Sequence, residues 1–159
     1  MFGFTKKTEY ALIALTRLVQ QETEQGEPLS ARQIAEEYGL PAPLLMNVLK
    51  DLQRHGIVTS IRGARGGYRL EHASDELTVL QIVEVIEGPL KTADCCQKED
   101  QSGLCNACDM LGTCPISHAV QRLHDKLSGF LAEMTLQDFA MSPREEKLLT
   151  FESSAKTIE

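Results

Sequence analysis

The sequence predicts a mainly α-helical protein, a winged helix-turn-helix carrying a long C-terminal dimerisation helix. Three observations carry that expectation. Two helical patterns between Ser30 and Arg54 meet at Gly39-Leu40-Pro41. A short strand, a glycine-rich turn and a second short strand follow directly. From Ala119 to Met134 apolar residues recur at helical spacing, within a composition that is 42% hydrophobic but only 5% aromatic and lacks Trp.

Thr5 to about Gln21 reads as the first helix, with Thr5 as N-cap. Tyr10, Ile13, Ala14, Arg17 and Leu18 stand on one side and are flanked by Ala11 and Leu15. Thr23 to Pro28 is a polar loop. Ser30 then caps a second helix, where Ile34, Ala35 and Tyr38 fall at helical spacing. Gly39 supplies the left-handed residue that stops it. Pro41 opens a third helix, whose Leu45, Val48, Leu49 and Leu52 form one apolar face. Ile57, Val58 and Ile61 read as a strand, residues 63–67 as a turn, and Tyr68-Arg69-Leu70 as the antiparallel return. Thr78 or a neighbour starts a helix bearing Val79, Ile82, Val83 and Ile86, which Gly88-Pro89 ends. Residues 90–113 are polar and Cys-rich, without a regular period. Pro115 begins the long helix, with Ala119, Leu123, Leu127, Phe130, Leu131 and Met134 in a stripe. Thr135 caps a short last helix through Phe139. The expected organisation is a head at 1–75, a sensor loop (about 90–115) with its dimerisation helix at 76–140, and a charged tail at 141–159.

Charge separates along the chain. The formal net charge is −7, yet residues 1–72 carry nine Lys/Arg against eight Asp/Glu, and residues 73–159 carry seven against fifteen. Lys50, Arg54, His55, Arg62, Arg65, Arg69 and His72 fall within 23 residues of the more basic part. Arg62, Arg65 and Arg69 surround a glycine-rich tip, where backbone can approach phosphate closely. This is the footprint of a double-stranded DNA binder, and global acidity does not argue against it. Asn47, on the third helix, is the side chain there suited to a bidentate base contact, most naturally with adenine. No apolar run of ~18 residues suggests a membrane span. The N-terminus lacks a signal-peptide apolar stretch, and a cytoplasmic location is expected. No phosphate-binding GxxxxGK[ST] and no nucleophile–base pair occurs, so an enzyme is not expected.

All five cysteines lie between Cys95 and Cys114, at positions 95, 96, 105, 108 and 114. An odd, clustered set suits metal or redox chemistry better than a disulfide framework. Thiolates are soft ligands for an iron–sulfur cluster or zinc. A closed zinc site normally uses four ligands in two tight pairs, whereas Cys114 is isolated and Cys95 and Cys96 are adjacent. A cluster or a thiol switch therefore fits better, with zinc as the alternative.

FTKKTEYALIAL, IAEEYGLPAPLLMNVLKDLQRHGIVTSIRGARGGYRL, LTVLQIVEVIEG and CPISHAVQRLHDKLSGFLAEMTLQDF together resemble one family. It is that of the bacterial cluster-sensing winged-helix regulators that include IscR, the regulator of iron–sulfur assembly, and NsrR, the nitric-oxide sensor. The resemblance covers about residues 3–140, and RGxxGGYRL is its most specific phrase. It implies a homodimeric transcriptional regulator, often a repressor, whose operator affinity follows a 2Fe–2S or 4Fe–4S cluster. The family's three loop cysteines map onto Cys114, Cys108 and either Cys96 or Cys95, leaving Cys105 extra. In some members an acidic fourth ligand comes from the other subunit and maps onto Glu9; in others it is a His shortly after the third cysteine, a place from which His118 is displaced by one residue. The family's wing arginine maps onto Arg62. Pro41, Pro43, Leu44 and Met46 stand where IscR-like members carry polar side chains, which implies a different operator. Two other readings remain at this level. One is an iron–sulfur carrier or electron-transfer protein with a non-functional DNA head. The other is a zinc-stabilised regulator without sensing chemistry.

Overall fold

The computed structural model describes residues 3–24, 26–63, 65–93 and 113–141. Its elements are α1 (Lys6–Glu24), α2 (Ala31–Tyr38), α3 (Ala42–Arg54), β1 (Val58–Ile61), β2 (Gly67–Leu70), α4 (Val79–Glu87), α5 (Ser117–Glu133) and α6 (Leu136–Ala140). The expected class is what is found: mostly helix with one two-stranded antiparallel sheet.

Local chemistry sets the helix ends. Ser30 accepts from the Gln33 N–H at 3.2 Å while the Gln33 side chain accepts from the Ser30 N–H at 2.9 Å. Such a reciprocal box satisfies two donors that the first helical turn would otherwise leave unpaired. Thr78 with Gln81, and Thr135 with Asp138, repeat it at α4 and α6. Two hydrogen bonds from Thr135 hold the Asp138 carboxyl below its usual pKa. Gly39 ends α2 in the left-handed region at φ 64°, which costs glycine nothing.

α1 is the hub. It packs against α3, α4, α6 and β2. Leu15 and Leu18 of α1 share one core with Ile34, Leu45, Leu49, Leu52, Val58, Ile82 and Leu136, each at most 2% exposed. Burial of one such aliphatic side chain contributes about 1.5–3 kcal/mol. The α1 face differs from the expected one. Thr8, Ala11, Leu12, Ala14, Leu15, Leu18 and Gln21 are buried, whereas Tyr10, Ile13 and Arg17 are half-buried. The inward face lies about one position round from the expected stripe because Thr8 and Gln21 are polar yet inward. The helix also runs to Glu24, so the following loop starts later than Thr23. Tyr38 is 43% exposed, and Ala31 takes the inward place expected for it.

β1 and β2 pair from Val58↔Leu70 to Ile61↔Gly67. Leu29 adds a bridge beside them, its N–H donating to Tyr68 O at 3.0 Å and its C=O accepting from the Tyr68 N–H at 2.7 Å. The wing is thereby tied to the residue before the α2 cap. α5 begins at Ser117, two residues after the expected Pro115. At its far end, the Leu136 N–H donates to Leu77 O at 2.7 Å and the Val79 N–H to Met134 O at 2.9 Å. The chain thus leaves through α4 and returns at the same place. The tail from residue 142, with Leu148, Leu149 and Phe151, lies outside the described residues.

Candidate nucleic-acid interface

α2 and α3 meet across Gly39 and Leu40, where the Leu40 N–H donates to Ala35 O at 2.8 Å. Burial of Leu45, Val48, Leu49 and Leu52 fixes the rotation of α3 about its axis. On a 3.6-residue helix the positions opposite that quartet are 43, 47, 50 and 54. Pro43, Asn47, Lys50 and Arg54 are all exposed, so the outward ridge carries one amide and two cations. The Arg54 guanidinium donates to Asp51 Oδ1 at 3.2 Å. Leu44 and Met46 flank the ridge and are 49% and 47% exposed.

The wing is held to α3 by a bond from Gln53 Nε2 to Ser60 Oγ at 2.9 Å. Two glycines give its shape. A Cβ on Gly66 would stand 2.4 Å from Ile61 O, and one on Gly67 would stand 2.4 Å from the Leu29 carbonyl carbon. Both positions admit only hydrogen without backbone movement. Arg62, Arg65 and Arg69 project from this frame and are exposed. Arg65 reaches Glu27 at 3.5 Å, a loose surface pair that costs little to exchange for another anion. The described basic side chains named from sequence therefore stand on two connected elements, the outer ridge of α3 and the wing. A helix presented beside a basic hairpin can enter a major groove with the wing on the flanking backbone.

At the other expected site the structure describes less. Cys95, Cys96, Cys105 and Cys108 lie outside the described residues. Cys114 is half-buried with a free thiol. It precedes α5, and its carbonyl accepts from Ser117 Oγ at 3.1 Å. Glu9, in the first turn of α1, pairs with Lys6 and raises its ammonium pKa through a hydrogen bond and its charge. Among the described residues no three His, Cys, Asp or Glu side chains are grouped as a metal would need. The single described cysteine sulfur is a soft donor, but the donor set is incomplete among these residues.

Two features escaped the sequence reading. Glu87, at the end of α4, accepts from the Thr5 N–H at 3.0 Å and from Thr8 Oγ1. Partial burial pushes its carboxyl pKa up, but these hydrogen bonds together outweigh that and hold it below the usual value. The Gln53–Ser60 link is the other. Neither has a signal in sequence spacing, since each joins residues from different elements.

Comparison with known proteins places this architecture. Residues 4–142 match the family Rrf2, described as iron-dependent transcriptional regulators. The chain belongs to the Rrf2 family. The repressor NsrR of Streptomyces coelicolor is 30% identical over 145 residues, 91% of this chain and 93% of that protein. The regulator IscR of Photorhabdus laumondii is 27% identical over 135 residues, 84% and 76% of the two. Among solved structures, CymR, the global cysteine regulator of B. subtilis, superposes with a TM-score of 0.70 at 26% identity, covering 90% of this chain and 99% of that one. IscR of T. potens superposes at 0.66 with 26% identity, covering 92% and 93%. The expected resemblance is correct, and this Rrf2 chain is a DNA-binding transcriptional regulator by family. No helix among its described residues is long and apolar enough to cross a membrane.

Proposed function

We propose that this Rrf2 protein is a cytoplasmic homodimer whose affinity for a double-stranded DNA operator is set by an iron–sulfur cluster, or by the thiol state, of its Cys95–Cys114 segment. The observation that carries the reading is the joined pair of α3 ridge and glycine-shaped wing, which gathers Asn47, Lys50, Arg54, Arg62, Arg65 and Arg69 on exposed surface. An electron carrier has no use for that surface. Lys50, Arg54, Arg65 and Arg69 would hold phosphates, Asn47 a base edge, and Arg62 the border of the minor groove.

Dimerisation is supported by α5. None of its residues is buried, and Ile116, Leu123 and Phe130 are 59%, 47% and 59% exposed. Leu123, Leu127 and Phe130 share one side at i, i+4 and i+7, an apolar seam for a second copy. A two-fold dimer would set two α3 helices one DNA turn apart.

Cys108, Cys114 and either Cys96 or Cys95 would supply thiolates, with Cys105 a less suited ligand and Glu9 a fourth ligand from the other subunit. A bound cluster would supply a redox-sensitive tie between the loop and the partner. A carboxylate ligand is harder than thiolate and leaves more readily, which suits sensing. Glu9 must then give up Lys6, an exposed pair worth little.

The test is anaerobic purification with an absorption spectrum, iron and sulfide counts, and DNA affinity before and after cluster removal. Visible absorption, bound iron and a 5–150-fold affinity change are expected. Cys108→Ala and Cys114→Ala should each bring iron to near zero. One zinc with no iron would replace the sensor by a structural metal site.

A further inference from the structure

The start of α3 is unusual for a surface meant to meet a polar groove. Pro41, Pro43, Leu44 and Met46 are all exposed, and Leu44 and Met46 present large apolar side chains on either side of Asn47. Their exposure is not left over from poor packing. Leu45, Val48, Leu49 and Leu52 already fill the inward face at 0–1% exposure. Leu44 and Met46 are therefore available to an apolar group of whatever meets the start of α3. The cations Lys50 and Arg54 begin only one turn further on, and Arg54 is engaged by Asp51.

Recognition helices touch base edges mainly with their N-terminal residues. In the major groove, guanine is read by bidentate cations and cytosine by carboxylates, and the first two turns of α3 offer neither. What they offer is apolar surface and one amide. Thymine alone among the bases presents a methyl group there, and adenine alone presents the donor–acceptor pair that an amide can bridge. We infer that Leu44 and Met46 are specificity residues that pack on thymine methyl groups on either side of an adenine held by Asn47, so that the operator half-site has an A·T core. The charge nearby fits this occupant: Lys50, at i+4 from Met46, is an exposed cation, Asp51 on the other flank is paired with Arg54, and the wing carries Arg62 and Arg69 exposed. A protein partner for the same patch is the competing occupant.

This inference rests on the DNA-binding reading above, and the experiment separates the two. The full-length protein, in cluster-loaded and cluster-free forms, selects from a pool of randomised duplexes. Affinity for the selected duplex is then measured with each half-site thymine replaced by deoxyuridine, which deletes the methyl and keeps the base pair. Enrichment of A·T-centred half-sites is expected, with about a fourfold affinity loss for each contacted methyl, the value of one buried carbon. The Leu44→Ala/Met46→Ala variant should lose this uracil sensitivity while keeping its affinity for unrelated duplex. Both positions are exposed, and an unchanged circular dichroism melt checks the fold. Enriched sites with a G·C core, or uracil insensitivity in the native protein, would overturn the inference and leave DNA binding intact. No enrichment in either form would overturn both and return the patch to a protein partner.

Discussion

Gly67→Ala tests the claim that the wing and the helix-turn-helix are one body. The new Cβ would lie 2.4 Å from the Leu29 carbonyl carbon, 2.5 Å from its oxygen and 2.8 Å from the Ser30 nitrogen. All three are backbone atoms, so no side-chain rotation relieves the clash. The Leu29 segment must move away from β2, which breaks two hydrogen bonds with Tyr68, at 3.0 and 2.7 Å. Each contributes about 0.5–1.5 kcal/mol. Ser30 moves with Leu29, and disturbing an N-cap costs roughly 1 kcal/mol more. The expected loss is therefore about 2–4 kcal/mol, or a Tm lower by roughly 4–16 °C at about 2–4 °C per kcal/mol for a chain of this size. Thermal and urea unfolding followed by circular dichroism measures it. Gly129→Ala serves as control, because its Cβ meets nothing within 4 Å and an exposed helical alanine should stabilise by about 0.5–1 kcal/mol. An unfolding midpoint for Gly67→Ala equal to that of the native protein would refute the link between wing and α2.

Arg62→Ala should weaken specific DNA binding by roughly 1–3 kcal/mol at matched salt with dimer and metal content unchanged, and an unaltered gel-shift titration would remove the wing from the interface. Leu127→Glu with Phe130→Glu should give monomers in sedimentation, because charge in a buried seam costs far more than the seam returns; persisting dimers would place the contact elsewhere. Glu87→Gln keeps the shape that joins α4 to Thr5 and Thr8 but removes the charge. Since the folded pKa of Glu87 is depressed, its stabilisation is present above the unfolded carboxylate value and disappears as pH falls through the folded one. The native protein should therefore exceed the variant in urea midpoint at neutral pH and converge with it in acid. A gap independent of pH would contradict the assigned role.

What the sequence made readable was carried by neighbours a few residues apart. Ser30, Gly39, Thr78, Gly88 and Thr135 each set a helix end by contacts within their own turn, and all were placed correctly. The buried quartet of α3 followed from spacing alone. Residues whose role depends on a distant element were misread or missed. Thr8 faces inward because Glu87 receives its hydroxyl, and Leu29 serves the wing because Tyr68 faces it. Leu136 is fully buried in the core, although it stands in a helix of five residues with little pattern of its own. The cysteines were legible as a clustered set of soft ligands. Their geometry was not, because four of the five cysteines lie outside the described residues.

The meeting of Leu77 and Val79 with Met134 and Leu136 has a consequence for how this regulator can change over generations. The chain goes out and comes back through one clasp, and the cysteine-bearing segment falls between its two sides in sequence. Residues added to or removed from that segment alter the length of the excursion without altering the positions of its two ends. Loop-closure entropy grows only slowly, by about 0.6 kcal/mol for each doubling. Spacing between cysteines is thus free to drift while the head, fastened on its own side of the clasp, keeps its aim. The interval of eight residues between Cys96 and Cys105 is the kind of change such an arrangement tolerates.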